Sequence, residues 1–147
     1  MRRQRKKPSA EARARYDETA FRTPRGRLSR AVCFARVRAR KRGLQFELDL
    51  DWALGKYVAQ GGACALSGIP FEFHRSSDGS GYAGPTPWSP SLDRIDPDGP
   101  YTKANTRLVC TAMNLALNRY GEESFRDLAR AYLRNRGNQA SAEDAET

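Results

Sequence analysis

The stretch Trp88–Asn118, WSPSLDRIDPDGPYTKANTRLVCTAMNLALN, governs the reading of the rest of this chain. Its residue types predict a strand over Trp88–Ile95, a tight polar loop over Asp96–Ala104 and a second strand over Thr106–Cys110. A helix is predicted over Thr111–Tyr120, with Met113, Ala116 and Leu117 available for a core face. Oxygen-bearing side chains are spaced through this strand–loop–strand–helix unit. Asp93 and Asp96 lie three apart at a strand end, and Asn105 closes the loop. Asn114 and Asn118, four apart on a helix, would share one face. Donors converging from a strand and a helix would suit Mg²⁺ or another hard divalent ion. Alone, Asp96-Pro97-Asp98-Gly99 is ordinary turn sequence.

Upstream, Thr23-Pro24 is a helix start, a capping hydroxyl followed by proline at the first helical position. Leu28, Val32 and Ala35 then recur at helical spacing, with arginines around them, and Gly43 is a natural stop. Phe46, Leu48 and Leu50 alternate with Glu47 and Asp49, as in a short extended segment or a helix lead-in. Asp49 or Asp51 can cap a helix through Trp52, Leu54, Tyr57 and Val58 that ends at Gly61-Gly62. A hairpin-like turn is expected at Ser67-Gly68 and a loose loop from Arg75 to Pro87. The last helix, about 122–134, places Phe125, Leu128, Ala129, Tyr132 and Leu133 on one stripe, which reads as a packing face. Residues 1–22 form a basic arm whose first twenty residues lack regularly spaced large apolar residues. This arm and the tail 137–147 are expected to be disordered, leaving one domain over 23–136.

The 147 residues carry a net charge of +9 and a mean hydropathy of -0.77. The charge is uneven: residues 1–42 hold 16 basic and 3 acidic residues, and the remainder is slightly acidic. A basic segment joined to an acidic body points to a polyanion, and nucleic acid is the favoured partner. Anchors for a membrane surface are sparse, and no segment approaches the roughly 20 apolar residues of a membrane span. The basic N-terminus is followed by no apolar segment, so secretion by a signal peptide is not expected and a cytoplasmic, reducing setting is. Three widely spaced cysteines, Cys33, Cys64 and Cys110, make a disulfide framework an unfavoured reading.

Three segments together carry a family resemblance. They are Leu92-Asp93-Arg94-Ile95, then Asn105-Thr106-Arg107-Leu108-Val109-Cys110, then Met113-Asn114, preceded by Cys64-Ala65-Leu66-Ser67-Gly68. This order resembles the HNH endonucleases, also named His-Me finger or ββα-metal nucleases. The run Ser89–Asp96 with Gly99-Pro100-Tyr101-Thr102 is similar to a phage and prophage subgroup with Asp-Arg in place of Asp-His. The resemblance spans about residues 23–135. It implies an α+β fold with a ββα-metal finger over about 88–120, flanked by N-terminal and C-terminal helices. It further implies a metal-dependent endonuclease acting on DNA, double-stranded by preference, in a bacterial or phage-infected cell.

Within that resemblance Asp93, Arg94, Asn105 and Asn114 are the candidate catalytic residues. Asp93 and Asn114 would hold Mg²⁺ or Mn²⁺, with Asn118 or Asp96 assisting, and Asn105 would brace the loop. Arg25, Arg27, Arg30, Arg36, Arg38, Arg40, Lys41 and Arg42 would supply backbone affinity for nucleic acid. Arg94 stands where the family has its histidine base. Arginine stays protonated, so it is expected to grip phosphate, and the base falls to another group or to metal-bound hydroxide. The single histidine, His74, is a weaker candidate for that base. Many members hold a structural zinc on two Cys-x-x-Cys pairs, but here Ser67 and Met113 take the second places. No structural Zn²⁺ is expected, Cys64 and Cys110 are expected as adjacent buried small side chains, and the apolar face of the last helix as the staple in the metal's stead. A nucleic-acid-binding module that has lost its chemistry is the rival reading. A small basic RNA-associated protein with a chance motif is the third.

Overall fold

Thr23 and Pro24 begin the helix on which the segments Ala10–Phe21, Leu50–Ala59 and Pro90–Arg94 pack. In the computed structural model, which describes residues 9–74 and 85–145, α2 runs from Pro24 to Arg42. The Thr23 side chain accepts a hydrogen bond from the Gly26 N–H, and Gly43 closes the helix in the left-handed region at φ 65°. Leu28, Val32, Ala35 and Ala39 fall on one stripe and are buried. Each fully buried leucine of this kind contributes about 1.5–3 kcal/mol. Asp49 caps α3, Leu50–Ala59, by accepting from Trp52 N–H at 2.7 Å. Of the two aspartates suited to that cap, the backbone geometry selects the first.

Strand β1, Pro90–Arg94, pairs antiparallel with β2, Thr106–Cys110, and α4, Thr111–Leu117, follows directly. The register sets Leu92 opposite Leu108 and Asp93 opposite Arg107. Leu92, Leu108, Val109 and Cys110 join the α2 stripe and Leu48 in a single core. Gln60 covers the open edge of β2: its amide donates to Leu108 C=O at 3.0 Å and accepts from Leu108 N–H at 3.3 Å. The turn expected at Ser67-Gly68 is present, with Gly68 at φ 69° and its N–H on Cys64 C=O. The molecule is therefore α+β, one two-stranded antiparallel sheet with helices on either side in sequence.

Three expectations are corrected. The segment Ala10–Phe21 forms a helix, α1, capped by Ser9, where composition alone predicted no order. Its anchor is Phe21, 8% exposed, and close passage at Gly26, where a Cβ would lie 1.9 Å from Thr19 C=O. The last helix, α5, spans Gly121–Ala145 and so runs through most of the expected tail. Its apolar stripe is not a core face. Leu128, Tyr132 and Leu133 are 68%, 62% and 67% exposed, and α5 packs on α4, with the Glu122 contact to Arg107 of β2 at its start. The staple role foreseen for that stripe thus goes to Gln60 and the Leu92–Leu108 core. Residues 1–8, 75–84 and 146–147 lie outside the described residues, and with them the start of the basic arm, most of the expected Arg75–Pro87 loop and the end of the tail.

Candidate active site

In β1 alternate side chains point to opposite faces, so Ser91 and Asp93 share one and Leu92 and Arg94 the other. Helix α4 lies against the strand and is tied to it by Asn114. The Asn114 Nδ2 donates to Ser91 Oγ at 2.7 Å and to Leu92 C=O at 3.2 Å. Both amide protons are thereby used, and Oδ1 carries no hydrogen bond among the described residues. Asp93, Arg94, Asn114 and Asn118 line one cavity of about 220 Å³, together with Arg38 from α2 and Tyr101 from the loop. These side chains meet at one cavity, and the settings of two of them differ from those expected.

First, Asp93 is not an open carboxylate. It is 5% exposed, and its Oδ2 accepts from Arg107 Nε at 2.8 Å across the strand pair. Arg107 also donates through Nη1 to Glu122 at 3.0 Å, joining β1, β2 and α5. Burial by itself would lower the Arg107 pKa, but the hydrogen bonds and charges of Asp93 and Glu122 outweigh it and hold it above the ordinary value. Arg107 went unassigned in the sequence reading. The two predicted strands do not by themselves set the register that places Arg107 opposite Asp93. Second, Asn118 does not extend the α4 face. It terminates the helix at φ 43° and reaches the cavity from beyond its end.

Arg94 stacks on the Tyr101 ring at 4.8 Å and donates to Gly99 C=O at 2.7 Å. It therefore holds the loop while still lining the cavity. Asn105 lies outside the cavity and makes three loop bonds: its Oδ1 accepts from Asp96 N–H, and its Nδ2 donates to Asp96 C=O and Pro100 C=O. Its side chain braces the loop and is not among those that line the cavity. Asp96 turns into its own loop, where Oδ1 accepts from Asp98 N–H at 3.0 Å, and does not line the cavity. His74, exposed and 3.4 Å from Glu72, does not line it either.

The basic residues of α2 divide into two groups. Arg27 is buried, 6% exposed, donating to His74 C=O and lying over Phe21, so it is no phosphate ligand. Arg30 sits against Tyr16, Phe21 and Phe34 and hydrogen-bonds Tyr16 Oη, which makes it part of the α1–α2 contact. Arg25, Arg36, Arg38, Arg40, Lys41 and Arg42 are exposed, with Arg36 over the Phe46 ring.

Cys64 and Cys110 are both buried and both free thiols. Burial pushes the Cys110 thiol up; at Cys64 burial is outweighed by hydrogen bonds from Ser67 and neighbouring backbone, and the thiol moves down.

No cluster of three or more His, Cys, Asp or Glu side chains exists among the described residues. One oxygen of Asp93 and the amide oxygens of Asn114 and Asn118 have no hydrogen bond among those residues, and all three side chains line the cavity. One carboxylate with neutral carbonyls fits a Mg²⁺ that keeps several waters and takes substrate phosphate as a further ligand. It does not fit Zn²⁺, which favours nitrogen and sulfur. No helix among the described residues is long and apolar enough to cross a membrane. Comparison with protein-family models, curated proteins and solved structures gives no match.

Proposed function

We propose that this chain is a metal-dependent endonuclease that hydrolyses phosphodiester bonds in DNA through an HNH-like ββα-metal site with Mg²⁺ or Mn²⁺. The observation that supports this reading best is the single cavity shared by Asp93, Asn114 and Asn118 with the guanidinium groups of Arg38 and Arg94. When bound, the metal supplies Lewis acidity to the phosphate and stabilises the leaving oxygen. Asp93 and Asn114 would hold the ion. Arg107 fixes one carboxylate oxygen of Asp93, and Ser91 with Leu92 fixes the Asn114 amide. Arg38 and Arg94 meet the phosphate oxygens and offset charge that grows in the transition state. Arg94 takes no proton from water, because its guanidinium stays charged.

Nicking of supercoiled plasmid tests the proposal. Conversion to open circles with Mg²⁺ or Mn²⁺, abolished by chelator and by Asp93→Ala, is the expected outcome. Full activity of Asp93→Ala would refute the site. The ion pair between Asp93 and Arg107 favours a second reading, a nucleic-acid-binding module without chemistry, since Arg107 competes with any cation for the carboxylate. Tight DNA binding with no nicking under any metal would select that reading.

A further inference from the structure

Next to the Asp93 cavity lies a second one of about 370 Å³, lined by Arg42, Arg94, Pro97, Asp98, Asn118 and Arg119. Arg94, Pro97 and Asn118 line both, so the two are contiguous. The elements already described set its charge. Arg42 follows Arg38 by one helical turn on α2, and Arg119 follows Asn118 at the end of α4. Three guanidinium groups face one carboxylate there, and neither Arg42 nor Arg119 has an ion-pair partner among the described residues. Three positive charges beside one negative leave an excess of like charge that repels, and an anion between them lowers that cost. Guanidinium forks match phosphate oxygens in pairs.

We infer that this second cavity is a phosphate subsite, with Arg42 and Arg119 as its ligands, for the phosphate next in the strand to the one at Asp93. The inference rests on the phosphodiester reading above and deepens it. The ligand is a nucleic-acid strand with phosphates on two successive linkages, which a dinucleotide with one linkage does not satisfy. Arg38 and Arg94 serve one phosphate, Arg42 and Arg119 the next, and Asn118 stands at the boundary. Contacts of this kind fix register on the strand and read no base.

The test is a nuclear magnetic resonance titration of the full chain in chelator at low salt with TpT, TpTpT and inorganic phosphate. TpTpT should bind about tenfold more tightly than TpT, the scale of one charge-assisted contact. It should also shift the Arg42 and Arg119 side-chain resonances. The exposed pair of substitutions Arg42→Gln and Arg119→Gln should remove that preference and leave the thermal midpoint unchanged. Equal affinity for TpT and TpTpT, no binding of either, or a preference that survives in the double variant would overturn the subsite. Inorganic phosphate binding as tightly as TpTpT would overturn it too, as an isolated anion site. A plasmid nicked by the wild type without the TpTpT preference removes only the subsite. The preference without nicking removes only the chemistry.

Discussion

Arg107 is the residue whose removal should have two effects of opposite sign. Asp93 and Arg107 have side chains 7% and 17% exposed and meet at 2.8 Å, so Arg107→Leu leaves a buried carboxylate without its cation. Breaking such a pair from one side costs about 3–5 kcal/mol, and the remaining solvent access of Arg107 puts this case near the lower end, about 3 kcal/mol. Asp93→Asn should cost less, about 1–2 kcal/mol, because Arg107 keeps Glu122, which is 52% exposed. The double variant should fall short of the sum by about 1–3 kcal/mol. Urea unfolding at pH 7 with a common slope measures all three. A loss below about 0.5 kcal/mol for Arg107→Leu, or simple additivity, would refute the pairing. Arg107→Leu also frees both Asp93 oxygens, so Mn²⁺ followed by electron paramagnetic resonance should bind more tightly even as stability falls. Weaker Mn²⁺ binding would mean that Arg107 orients the carboxylate instead of competing for it. The Arg107 pKa is raised by folding, so its contribution is complete below the unfolded value and is lost only as pH rises through the higher folded one. The wild-type minus Arg107→Leu difference should therefore show no titration of Arg107 between pH 6 and 9.

Gly26→Ala would drive a Cβ into the Thr19 carbonyl and should cost about 1–3 kcal/mol, with hydrogen exchange rising first in α1 and last in β2. Unchanged α1 protection would show that the helices do not cross there. Thr106 is 1% exposed, and its Oγ1 has no hydrogen bond among the described residues, so Thr106→Val should raise stability by about 1 kcal/mol in thermal melts. A drop would reveal a partner for the hydroxyl. Elemental analysis should find well under one zinc per chain, because Ser67 and Met113 stand where two more thiolates would be needed. One zinc per chain, lost together with the fold on chelation, would overturn that expectation.

Local chemistry determined a good part of this molecule. Thr23-Pro24 and Gly43 bound α2 because a cap, a proline and a left-handed residue act within one turn of themselves. The strand Thr106–Cys110 was legible for the same reason, whereas the bracing role of Asn105 was implied by the family resemblance; that side chain bonds backbone five and nine residues away. The stripe on α5 was legible as a helix period, but a period does not say whether anything covers it, and Leu128 and Leu133 stayed exposed. Tertiary structure alone decided which charges meet. Arg27 and Arg38 look alike in sequence and lie on nearly the same helix face, yet one is buried under His74 C=O and the other opens on the Asp93 cavity, because about three turns, roughly 16 Å along the axis, set them beside different parts of the fold. Asp93 was marked as a free ligand, and the register of β1 on β2 gave it to Arg107, fourteen residues away. An ion pair across a sheet depends on that register, which is fixed by the buried faces of both strands together and by neither segment alone.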